Sequence, residues 1–180
     1  MTETAGCGRS SRISTTGANS GAVFATRPNA ASQHTPNSPT ASHCPVVGVA
    51  ALRRAGDTLA IISYGAYVHV ALRIAERLAA DGLQAAVLDL RSLAPLDRAS
   101  ILAVARHCTR VLILHEDSRT GGIGESIAAI IQEEAFEFLD APVRIIGALD
   151  TPVPYSPPLE NYFLPSEEEI ERAARRLLAY

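Results

Sequence analysis

The segment VLILHEDSRTGGIGESIAAIIQEEAFEFLDAP, Val111 to Pro142, does most to limit what this chain can fold into. An apolar run of strand length gives way to a charged, glycine-rich turn. Ile127, Ile130, Ile131, Ala135 and Phe138 then recur at helical spacing, with Glu133 and Glu137 on the other side. A buried strand handing over to an amphipathic helix is one half of an αβ crossover, the connection that parallel strands require. The turn also gathers His115, Glu116, Asp117 and Arg119 at a strand's carboxyl end, where open α/β sheets collect ligands.

The same alternation runs through everything after Val46. VVGVAALRR reads as a first strand, Ala55-Gly56-Asp57 as a turn, and Thr58–Ser63 as a strand apolar on both faces. Val68, Ala71, Leu72, Ala75 and Leu78 follow at helical spacing, and Asp81-Gly82 closes that helix. Gln84–Asp89 is a second buried strand. Asp97 is placed to cap the next helix, with Leu96 and Ile101 as its hydrophobic staple. Arg110–His115 and Val143–Ile146 complete the strands. The run from Asp150 to Pro165 reads as irregular, a strap carrying Tyr155, Tyr162 and Phe163 that either wraps its own domain or lies on a partner. Ser166 with Glu169 forms a capping-box pattern ahead of Ile170, Ala173, Ala174 and Leu177. The fold class is therefore α/β: a three-layer α/β/α domain over 46–180 with a mostly parallel sheet and helices on both faces.

Residues 1–45 have a different texture, rich in Ser, Thr, Ala, Gly, Asn and Pro, with Ile13, Val23 and Phe24 as their only large apolar residues. That is too little to offset ordering entropy, and the segment is expected to be disordered. Its one acid, Glu3, against Arg9, Arg12 and Arg27 leaves an organellar transit peptide as the secondary expectation. His43-Cys44 reads as a chance pair in a tail rather than as metal ligands.

Composition excludes several functions. All 16 basic residues are arginine, so no lysine Schiff base or Walker lysine exists in the sequence. A net charge of −3 and the lack of Trp give no case for nucleic acid or an anionic membrane surface. Cys7, Cys44 and Cys108 are too few and too scattered for a disulfide framework, which points to a reducing cytosol. Cys108 follows the apolar face of its helix and reads as core. No serine stands in a nucleophile elbow.

Three strand ends carry polar groups: Tyr64-Gly65 with His69, Asp89 with Arg91, and His115 to Arg119. His115 and Glu116 are the candidate acid–base pair, although neighbours at a strand end point apart and a structural polar role is the alternative. Gly121, Gly122 and Gly124 precede a helix N-terminus that could hold an anion. Close packing of the turn on the sheet is the stronger expectation. Asp89 and Arg91 read as a structural ion pair, and His69 as a solvent-facing residue or a phosphate contact.

Taken together, ISYGAYVHVALRIAERLAADGLQAAVLDLRSLAPLD and HEDSRTGGIGESIAAIIQEEAFEFLDAPVRIIGALDTPVPYSPPLENYFLP resemble the C-terminal transketolase-type domain of beta subunits of thiamine-dependent 2-oxo acid dehydrogenases. The likeness runs from Pro45 to Tyr180, and the HED…TGG and DTPVP forms lean toward the branched-chain type over the pyruvate type. It implies a cytoplasmic or mitochondrial assembly of alpha and beta subunits, two of each, that uses thiamine diphosphate and Mg²⁺. That assembly decarboxylates a 2-oxo acid oxidatively and passes the acyl group to a lipoyl acyltransferase core. In that family the cofactor-activating acid lies in an upstream pyrimidine-binding domain, and the diphosphate site in the alpha subunit. No residue of this sequence matches either, so the resemblance implies no cofactor bound by this chain alone and no activity in isolation. What it does imply is a docking role, with Asp140 and the Tyr180 carboxylate as contacts for a basic partner. Two rivals stand beside it: a non-enzymatic fragment or interaction module, and the equivalent domain of another transketolase-like enzyme.

Overall fold

The computed structural model describes residues 46–180. The expectations for 1–45, His43-Cys44 among them, lie outside the described residues. A five-stranded sheet has the order β1-β3-β2-β4-β5, with β1 Ala51–Arg54, β2 Leu59–Ser63, β3 Ala85–Asp89, β4 Val111–Ser118 and β5 Arg144–Ala148. β2, β3, β4 and β5 run parallel, and β1 lies antiparallel on the outer edge of β3. Five helices join them: α1 Tyr67–Ala80, α2 Arg98–Cys108, α3 Ile123–Ala135, α4 Pro157–Phe163 and α5 Glu167–Leu178.

Every residue of β2 and β3 is buried, as continuous apolar strands covered on both faces must be. Two cores result, one on each face of the sheet. Leu59, Ile61, Val87, Leu112 and Leu114 pack on the side of α1 and α5. Ala60, Ile62, Leu88, Val111 and Ile113 pack on the side of α2 and α3. This is the three-layer arrangement read from the strand–helix alternation.

Four local readings are revised. The first strand begins only at Ala51, because Gly48 takes a left-handed conformation (φ 81°) and turns the chain ahead of the edge. β4 runs on to Ser118, with an irregularity between Leu114 and Ser118. α3 stops at Ala135 and a 3₁₀ turn, Phe136–Phe138, swings Phe138 outward, where the Arg106 guanidinium covers its ring at 5.4 Å. Within the strap, Pro157 and Pro158 start a short helix, since proline is well suited to a first turn. Phe163 is buried and the Tyr67 hydroxyl donates to the Pro165 carbonyl at 3.0 Å, so the strap wraps its own domain at that end. Tyr155 and Tyr162 face outward.

Candidate functional site

The chain leaves β2 toward β3 and returns past β2 to β4, so the winding reverses between β2 and β4. A crevice at such a reversal, outside the carboxyl ends of the strands, is where doubly wound sheets place ligands. Tyr64 follows β2 and His115 lies in β4 at this point. Their rings lie nearly parallel (13°) with centroids 6.2 Å apart.

Alternation along β4 separates the two candidate groups. His115 continues the Val111–Ile113 row toward α3 and is fully buried. Glu116 falls on the opposite face and is exposed, with its Oε1 close to the left-handed Gly65 that opens α1. The pair read as acid and base is thus split across the sheet. Burial lowers the His115 pKa, against the opposing pull of the Asp117 carbonyl and carboxylate. Nδ1 lies 3.2 Å from the Asp117 carbonyl, which places the proton there, and Nε2 has no partner among the described residues. Tyr64 and Tyr67 are held above the usual phenol value by burial and then by acids, Asp117 and Glu116 for Tyr64, Glu116 and Glu169 for Tyr67.

The glycine-rich turn packs on this histidine. A Cβ on Gly122 would meet the Ser118 carbonyl and the His115 ring, and one on Gly124 or Gly147 would overlap that ring. The Gly121 N–H donates to the Glu125 carboxylate at 3.0 Å. Close packing therefore explains Gly122 and Gly124, while Gly121 meets nothing and takes a left-handed conformation (φ 75°) that favours glycine. The Glu125 carboxylate at the Gly121 N–H sets a like charge beside the place a diphosphate would take. Among the described residues no cluster of three or more His, Cys, Asp or Glu could hold a metal ion.

The remaining candidates fall elsewhere. Asp89, nearly buried, pairs with Arg53 of β1, from Nη2 at 2.8 Å and Nε at 3.0 Å. Arg91 meets Asp89 only through its backbone N–H, at 3.1 Å, so the expected Asp89–Arg91 ion pair is replaced by a clamp on the edge strand. The spacing Asp89-Leu90-Arg91 suggested a partner in sequence; the true one comes from an antiparallel neighbour. His69 is exposed. Asp140 is exposed and tied down, accepting from Thr109 Oγ1 at 2.6 Å with Arg110 at 3.4 Å. Tyr180 is exposed at the rim of a cavity of about 410 Å³ that also takes in Arg119, Arg144, Arg172 and Arg176. These arginines were not grouped from sequence. The four-residue spacing of Arg172 and Arg176 puts them on one face of α5.

Residues 48–170 match the family model of the transketolase C-terminal domain. The chain belongs to this family. It is 41% identical over 135 residues to the 2-oxoisovalerate dehydrogenase subunit beta of Bacillus subtilis, covering 74% of this chain and 41% of that protein. To the mitochondrial pyruvate dehydrogenase E1 component subunit beta-1 of Arabidopsis thaliana it is 41% identical over 135 residues, 75% of this chain and 37% of the relative. Among solved structures, a split-gene transketolase described as an inactive beta4 tetramer superimposes with a TM-score of 0.63 at 27% identity, covering 73% of this chain and 42% of that one. The chain thus spans about two-fifths of the length of the relatives it matches.

Proposed function

We propose that this domain serves as the C-terminal domain of a 2-oxo acid dehydrogenase beta subunit and works within an assembly of alpha and beta subunits. The observation that carries this reading is the 41% identity to the 2-oxoisovalerate dehydrogenase beta subunit over 135 residues. The likeness to the split-gene transketolase, at 27% identity, supports the equivalent domain of another transketolase-like enzyme as a further alternative. The role is structural: the domain supplies interface area, while thiamine diphosphate and Mg²⁺ are held by the pyrimidine-binding domain and the alpha subunit. The glycine turn, closed by Glu125 and His115, supports that division. The domain boundary is placed at residue 46 and the location in the cytosol, with the mitochondrion second.

Docking of the lipoyl acyltransferase core is assigned to Asp140 and Tyr180, both exposed. Asp140 already draws Arg110 and Thr109, so it is held in one orientation toward a basic partner.

The test is reconstitution. The chain is mixed with a separately expressed pyrimidine-binding domain and alpha subunit from a branched-chain dehydrogenase, and decarboxylation of 2-oxoisovalerate is followed with an artificial electron acceptor. Activity should need all three parts, with none from this chain plus thiamine diphosphate alone. Turnover by the isolated chain, or no gain on adding it, would overturn the proposal. Asp140→Arg should keep the fold and lose acyltransferase binding; unchanged binding would remove Asp140 from the docking role.

A further inference from the structure

Six of the arginines in the described domain are matched to carboxylates: Arg53 to Asp89, Arg73 and Arg77 to Glu167, Arg98 to Glu134, Arg110 to Asp140 and Arg175 to Asp81. The other seven make no ion pair among the described residues, and four of these share one place. Arg119, Arg144, Arg172 and Arg176 all line one cavity of about 410 Å³, and none of them makes an ion pair among the described residues. Its lining also carries the Glu169 side chain and, at Tyr180, the chain's terminal carboxylate, so the four guanidiniums outnumber the carboxylates by two. Asp150 lies near Arg119, but its carboxylate is engaged by the Thr120 N–H and hydroxyl. In a chain of net charge −3, this is a local concentration of unneutralised positive charge.

The floor of the cavity is as informative as its walls. It is formed by consecutive residues Pro142 to Gly147, which include most of β5. Among the described residues β5 is the outermost strand, pairing with β4 on one side and with no strand on the other. α5 forms the facing wall with Arg172, Ala173, Arg176 and Leu177. Arg144 stands at the start of β5, and Arg119 is fixed at its far end by donating its N–H to the Ala148 carbonyl at 3.0 Å. Four strand steps separate those ends by ~13 Å. Arg172 and Arg176, one helical turn apart, lie ~6 Å from each other along the facing wall. The charges are thus spread along a strand edge and not focused on a point.

We propose that this groove receives an extended, acidic segment of a partner chain, which adds to β5 as a sixth strand and sets its carboxylates against the four arginines. Backbone pairing to an open edge supplies affinity, and alternate side chains supply specificity. Arginine suits the task because its planar fork holds carboxylates in pairs. On the other face of the sheet edge, Val143 and Ile145 give the segment's alternate side chains an apolar contact.

The test titrates the full chain with an alternating Glu-Val octapeptide by calorimetry at low salt. Saturable binding is expected, weakening at least tenfold in Arg172→Gln/Arg176→Gln and in Arg144→Gln, and lost with a Gln-Val peptide. Arg144 sits on an exposed strand edge, so its variant keeps the test valid if the helix double variant misfolds. Arg54→Gln, outside the groove, should bind as the parent does. Amide exchange of β5 should slow when the peptide is bound. Three results would overturn the proposal: no saturable binding, binding that survives both arginine variants, or binding that leaves β5 exchange unchanged and is matched by inorganic pyrophosphate, which marks a simple anion site.

Discussion

The imidazole of His115 occupies the space that a side chain on Gly124 would need. The glycine opens α3 and the histidine lies in β4, so this one relationship sets how closely helix and sheet approach. Gly124→Ala should therefore destabilise the domain by about 1–3 kcal/mol, the usual cost of overpacking, despite the better helix propensity of alanine. Urea unfolding measures it. Adding His115→Ala should recover part of the loss, giving a coupling of about 0.5–3 kcal/mol in a double-mutant cycle. Additive single effects would mean that the two residues do not share the space.

The same histidine predicts a pH dependence. Its folded pKa lies below the unfolded value of about 6.5, because burial penalises the imidazolium. The unfolded chain then binds the proton more readily than the fold does. Stability is full above about pH 6.5 and falls as the pH drops toward the folded value. The unfolding free energy from urea titrations should decline as the pH falls from about 7 to 5. His115→Asn, less stable throughout, should remove most of that decline. Asp97, Asp150 and Glu167, all held below the ordinary carboxylate range, lose their contributions only at lower pH and do not confuse this window.

The strands, the helices and their layering were legible because continuous apolar runs and helical spacing are local signals. β2, α1 and β3 were read close to their observed bounds, β4 ran three residues further than read, and the Asp97 cap of α2 was read from one residue. Partnerships across the sheet were not legible. Nothing near Asp89 in sequence points to Arg53, which reaches it only because β1 folds back antiparallel. The convergence of Arg119, Arg144, Arg172 and Arg176 needs β4, β5 and α5 brought together, and no periodicity within one element reports that. His115 and Glu116 drew attention as neighbours, yet strand alternation separates them. The turn resembles a site because two of its glycines, Gly122 and Gly124, with Gly147 of β5, must admit one buried ring, a packing requirement that gives the same sequence signature.

Cys108 should be chemically silent in the fold. Burial pushes its thiol up to about 11, with Asp57 adding to the shift, and its S–H donates to the Gly56 carbonyl at 3.5 Å. At pH 8 a thiol with that pKa is ionised to about one part in a thousand, and the thiolate is the reacting form. In a Cys7→Ser/Cys44→Ser variant, which leaves Cys108 alone, a disulfide reagent at pH 8 should release no chromophore on mixing and one equivalent after denaturation in guanidinium. Prompt reaction of the native variant would show that α2 opens readily at its C-terminal end.

Asp97 joins two parts of the structure through one carboxylate. Oδ1 accepts the Ser100 N–H at 3.0 Å, capping α2, while Oδ2 accepts the Ala50 N–H at 2.9 Å and the Ser100 hydroxyl at 2.7 Å. Burial alone would raise its pKa, but these donors outweigh that and hold it below the ordinary carboxylate value. Asp97→Ala should cost about 1–2 kcal/mol, near the top of the range for a lost cap, because the Ala50 donor is released as well. Asp97→Asn keeps an acceptor for the cap and should cost less. Hydrogen exchange separates the two functions: the Ala50 amide should exchange faster in Asp97→Ala under conditions where the amides of β2 and β3 remain protected. If Ala50 keeps its protection, the segment ahead of β1 is held by something other than Asp97.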